Sequence, residues 1–134
     1  MSTKSYFICQ ERSSVNCYTE YDCNNIFMSI YGIFGIHSVE SCPLNNAENR
    51  KLVIKMAEEI DKIANKNNTH ILQRYHSGLE HTFVWIVEAQ NAHSIQSFMT
   101  ESTWAKFNTI KIVPLSTYET VVGECKRLEK ATDQ

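Results

Sequence analysis

The order in which the hydrophobic period changes along the chain constrains the fold more than any other feature. Met28–His37 reads as a short apolar strand in which Gly32 and Gly35 permit close packing. Asn45–Lys66 then switches to helical spacing, with Leu52, Val53, Met56, Ala57, Ile60, Ile63 and Ala64 opposite a Lys/Glu/Asn face. His70–His76 and His81–Ala89 return to strand character around the polar turn Ser77–Glu80, which predicts a hairpin from composition and length. Asn91 opens a second helix reaching about Thr103, with Ala92, Ile95, Phe98 and Met99 inward. Thr109–Val113 is a fourth strand, and Val121, Val122, Cys125 and Leu128 form the inner stripe of a terminal helix. Asn45 with Glu48, and Ser116 with Glu119, stand at capping-box spacing. The order β-α-β-β-α-β predicts a ferredoxin-like α+β domain: a four-stranded antiparallel sheet with helices on one face and an extra C-terminal helix.

Such a sheet has one face without helices. The run His81–Val87 is apolar on both alternations, which predicts burial on both sides and therefore a homodimer or higher homo-oligomer. A chain of 134 residues suits one core. That core is expected within residues 28–134, while residues 1–27, rich in Ser, Asn, Cys and Tyr without a period, read as a mobile N-terminal extension. Met28 is an alternative translation start. The net charge of −2 and pI near 6.2 provide no polycationic surface for nucleic acid. The sequence also shows no apolar stretch of membrane-spanning length and no secretory leader, so the expectation is a soluble cytoplasmic chain with no membrane partner. Its five cysteines form no CxxC pair and read as free thiols.

The segments His37-Ser38-Val39-Glu40-Ser41-Cys42-Pro43, Tyr75-His76-Ser77-Gly78, His81-Thr82 and Glu88-Ala89 carry a resemblance. Over about residues 28–128 the chain resembles the dimeric α+β-barrel superfamily, in particular its small uncharacterised archaeal and bacterial members. The resemblance implies paired sheets and a pocket between each sheet and its helices. The superfamily includes monooxygenases, haem enzymes, isomerases and proteins without known activity, so architecture transfers more readily than chemistry.

In this topology the first two strands run in the same direction, and their C-terminal ends share a rim with the starts of the third and fourth. His37, His76 and His81 are expected there, with Cys42 nearby, as a set of donors for a divalent transition metal. With Ser77–Glu80 as the turn, His76 and His81 would be direct cross-strand neighbours. Glu40 and Glu88 are further oxygen donors, although Glu88 lies about 20 Å from His81 along its strand. A second chemistry makes Cys42 the catalytic thiol, with one of the histidines as its base. Arg74, Trp104 and Lys111 are candidates for a small-ligand pocket, Phe107 assisting Trp104 in closing it. Cys125 is expected in the core, while His70 and His93 lie away from the rim. Two function classes follow: a dimeric protein with a metal or small-ligand site, or an oligomeric scaffold without catalytic activity.

Overall fold

In the computed structural model, which describes residues 27–132, the chain forms β1 (Ser29–Ile36), α1 (Ala47–Met56), α2 (Ile60–Lys66), β2 (Thr69–Ser77), β3 (Thr82–Ala89), α3 (Ala92–Glu101), β4 (Thr109–Leu115) and α4 (Tyr118–Thr132). The expectations for residues 1–26 lie outside the described residues. The four strands form one sheet in the order β2-β3-β1-β4, every neighbouring pair antiparallel.

This is the ferredoxin-like arrangement, but β2 and β4 stand at opposite edges and the sheet is open. The expected barrel is therefore corrected to an open four-stranded sheet with helices packed on one face and an additional C-terminal helix. Hydrophobic period specifies strands and their faces; it carries no information on whether sheet edges close.

Alternation along β3 separates the faces. Phe83, Trp85, Val87 and Ala89 are buried toward the helices, whereas Thr82, Val84, Ile86 and Glu88 are half-buried on the other side. Ile33 of β1 joins the buried side, and Ile60, Ala64, Ile95, Phe98 and Met99 of α2 and α3 complete the core. Gly35 is required at this layer: a Cβ there would lie 1.9 Å from Cε1 of Phe83, whose ring occupies the space a side chain would fill.

The single long helix expected over Asn45–Lys66 is two helices, separated by a tight turn at residues 57–59. Met56, Ile60 and Ala64 are buried on both sides of the break, so the stripe continues through it, while Ala57 is exposed. Glu58 and Glu59 would oppose the dipole at the C-terminus of α1 but favour the N-terminal end of α2. The cap of α1 also moves by one residue: Asn46, not Asn45, accepts from the backbone N–H of Asn49 at 3.0 Å. Asn91 caps α3 as expected, accepting from Ser94 at 2.9 Å. At α4 the expected Ser116 box is replaced by Thr117, whose Oγ1 accepts from the Thr120 N–H at 3.2 Å. No residue of α4 is buried, and Cys125, expected in the core, is exposed.

Candidate metal centre

The site begins with the parity of β1. Ile33 and Gly35 face the helices, and His37, two residues further, continues on that side with 7% exposure. Its backbone N–H donates to the carbonyl of His81 at 3.0 Å, adding a hydrogen bond beyond the end of the β1–β3 ladder.

A bulge brings His76 to the same side. Ile71 pairs with Val87, but the next pair is Gln73 with Ile86, leaving Leu72 as the inserted residue. Without it, parity from Thr69 and Ile71 would place His76 on the open face; with it, Arg74 and His76 pair with the helix-facing Trp85 and Phe83. The expected His76–His81 cross-strand pair is therefore corrected. His76 pairs with Phe83, while His81 closes the loop in the left-handed region at φ 52°.

Cys42 arrives on a loop held by its own polar residues. Asn45 donates to the carbonyl of Val39, Asn46 to that of Glu40, Asn49 to that of Ser41, and Arg50 to those of Pro43 and Leu44. The Cys42 carbonyl accepts from both Asn45 and Asn46, and Cys42 itself is fully buried. These side chains satisfy a loop backbone that water would otherwise have to solvate.

Together these elements bring the ligand atoms of His37, Cys42 and His76 within 4.8 Å of one another, a cluster capable of coordinating a metal. Tetrahedral coordination with Zn–N and Zn–S bonds of about 2.0–2.3 Å would separate donors by about 3.3–3.8 Å, so the side chains need to draw together by about 1 Å. His37 Nε2 and His76 Nε2 are already 3.5 Å apart, with their rings parallel within 2°.

Asn108, which the sequence reading missed, fixes the chemistry of His37. Its Nδ2 donates to the Trp104 carbonyl at 2.9 Å, which turns Oδ1 toward His37 Nδ1 at 2.8 Å. Nδ1 must then carry the hydrogen, leaving the Nε2 lone pair directed into the cluster. The only sequence signal is an Asn just before a strand that enters the histidine rim.

The His81 ring stands edge-on to His37 at 5.9 Å, and its buried Nδ1 has no hydrogen-bond partner. Burial depresses the His76 pKa, and the neighbouring His37 and His81 charges add to the depression. His76 is thereby favoured in the neutral form that can donate a lone pair. The exposed Glu40 carboxyl is lowered by its own backbone N–H, then by Ser38, with a smaller contribution from His81.

Arg74, Trp104 and Lys111 do not share a pocket. Arg74 lies 3.5 Å from Asp61, and Trp104 packs among Phe83, Trp85 and Phe107. Lys111 is paired with Phe34 on the open face, opposite to the histidines. Glu88 pairs with His70 at the far end of β3, while His70 Nδ1 contacts Asn65. Among the described residues no helix is long and apolar enough to cross a membrane.

A solved structure from Bacteroides thetaiotaomicron, described as a conserved protein of unknown function and "Possible Oxidoreductase", matches at 15% identity and a TM-score of 0.41, covering 67% of this chain and 97% of that one. No curated protein matches the sequence. A family model described as "Domain of unknown function (DUF3303)" matches residues 38–128. The chain belongs to that family, and the barrel that the superfamily resemblance implies is corrected by the open sheet.

Proposed function

We propose that the rim cluster is a transition-metal site in which His37, Cys42 and His76 are ligands and His81 supplies a fourth donor after a ring rotation. The observation carrying this reading is the convergence of three donor atoms within 4.8 Å. Two imidazoles and a thiolate suit Zn(II) or copper better than the hard cations, which prefer oxygen. The His37–Asn108–Trp104 relay is the outer-shell arrangement that orients a metal-bound imidazole. The unpartnered Nδ1 of His81 supports its role as the reserve donor.

Cys42 loses its proton on binding the metal, so affinity rises with pH until thiol and imidazoles are deprotonated. Its complete burial gives the alternative thiol-enzyme reading less support, because a nucleophile must meet its substrate. In the scaffold reading the histidines only pack and hydrogen-bond.

The test is elemental analysis of protein purified without an affinity tag, followed by titration with Zn(II) and Co(II). One metal per chain and a thiolate-to-metal absorption band with Co(II) are expected. His76→Ala and Cys42→Ser should each lower affinity while the sheet remains folded. Unchanged titrations in both variants would rule out this ligand assignment.

We also infer self-association through the open sheet face. Phe34, Ile36 and Tyr75 are exposed together there, forming an apolar surface beyond the scattered residues of an ordinary monomer. Light scattering of the full chain should give a dimer mass, and a stable monomer would reject the inference.

A further inference from the structure

Two apolar surfaces lack a cover within the protomer. On the open sheet face, Phe34, Ile36, Tyr75, Val84 and Val113 line a concavity of about 950 Å³, whose one permanently charged lining residue is Lys111. The other surface is α4, which has no buried residue. At 100° per residue, Tyr118, Val121, Val122, Cys125 and Leu128 fall within a stripe about 120° wide. Glu129 falls inside that stripe, one turn beyond Cys125, whereas Glu124 lies beside it and already pairs with Arg127 at 2.8 Å.

The concavity and the stripe thus each carry one permanent charge among apolar residues, and the two charges are opposite; Glu88, on the same sheet face, lies outside the concavity. Among the described residues neither Lys111 nor Glu129 makes an ion pair. Their dimensions also agree. The rise from Tyr118 to Leu128 is about 15 Å, and the axes of the outermost of four strands are about 14 Å apart.

We propose that α4 of one copy lies across the open sheet face of a second copy, with Glu129 against Lys111, and that the exchange is reciprocal. This rests on the self-association reading and specifies the segment that covers the face. Within one protomer α4 leaves that face uncovered, although it follows β4 after only Ser116 and Thr117. A second copy presents the same face without the restraint of this short link.

The experiment uses full-length protein at low micromolar concentration, with light scattering for mass and circular dichroism for folding. Wild type should be a dimer. Val121→Glu with Leu128→Glu should give a folded monomer, and so should Ile36→Glu, because all three side chains are exposed in the protomer. Lys111→Glu should weaken the dimer about tenfold or more, and adding Glu129→Lys to the same chain should restore it. A persistent dimer in the α4 variant, with a monomer in Ile36→Glu, overturns the exchange while preserving self-association through the sheet. The reverse pattern means that helices pair with helices and overturns it as well. Failure of the charge reversal to restore the dimer rejects the Glu129–Lys111 contact. A wild-type monomer, whether that face binds another protein or is covered within its own chain, overturns both readings.

Discussion

Successive residues of β1 meet two different environments. Toward α2 and α3, Ile33 is fully buried and Gly35 leaves room for the Phe83 ring; on the other side, Phe34 and Ile36 remain 42% and 54% exposed. The helix-covered face is complete within one protomer, and the aromatic layer of Phe83, Trp85, Trp104 and Phe107 supports its rim. Polar side chains can therefore be held there in fixed geometry. The open face has comparable apolar character but no second layer, which suits recognition. The histidine–cysteine cluster and the uncovered apolar face consequently occupy opposite sides of the same strands.

The largest contrast should come from two phenylalanines. Phe98→Ala removes a fully buried ring and should cost about 3–5 kcal/mol of stability, whereas Phe34→Ala should cost about 1 kcal/mol in dilute protein. Urea midpoints measured at two protein concentrations would sharpen the comparison: the Phe34 effect should grow with concentration if self-association covers its ring. Equal losses in dilute protein would break it.

The glycines distinguish the faces next. A Cβ on Gly35 meets three atoms of the Phe83 ring at 1.9–2.6 Å, and Phe83 is only 3% exposed and packed against Trp85 and Trp104. Gly35→Ala should therefore cost about 2–3 kcal/mol. A Cβ on Gly32 meets Phe34 Cε2 at 2.6 Å, but that half-exposed ring can move outward. Gly32→Ala should change stability by less than about 1 kcal/mol, partly offset by the reduced freedom of the unfolded chain. Similar midpoint shifts would show that the open face is packed as tightly as the core.

The element order was legible because hydrophobic period is a local property, and strand direction then brought the C-terminal ends of β1 and β2 to one rim. The bulge at Leu72 was not legible: one inserted residue reverses the side His76 faces, yet Leu72 resembles any other strand residue. Two adjacent asparagines, both suited to capping, left the start of α1 ambiguous by one position. Asn108 is 71 residues from His37 in sequence, and no periodicity links them. For α4, amphipathicity identifies an apolar face but not whether its cover lies in the same chain, so the exposure of Cys125 is not legible from it.

Asn108→Ala tests the rigidity of the covered face at its rim. It removes the acceptor for His37 Nδ1 and the donor to the Trp104 carbonyl, and should cost about 1–2 kcal/mol. Metal affinity should fall by about tenfold or more, while Asn108→Asp, which retains an acceptor, should recover part of it. A loss of stability with unchanged Zn(II) affinity would confine Asn108 to a role in packing. A comparable polar replacement on the open face, Ile36→Ser, should leave metal affinity unchanged.

The smallest effect is expected from protonation of His76 in metal-free protein. Burial, followed by the charges of His37 and His81, lowers its folded pKa below the ordinary 6.5. The unfolded chain then takes up the proton first. Stability should therefore be fully present above about 6.5, decline as pH falls toward the folded pKa, and level off once both states are protonated. Because His76 is largely exposed, solvent screening keeps the change small. Urea midpoints from neutral pH to about 5 should show a shallower decline in His76→Gln than in wild type, while Ile36→Ser on the open face should retain the wild-type slope. Saturating Zn(II) should steepen the wild-type decline, since protons then compete with the metal for the same lone pairs. An identical slope in wild type and His76→Gln, with and without Zn(II), would separate His76 from both the electrostatics of the rim and the metal.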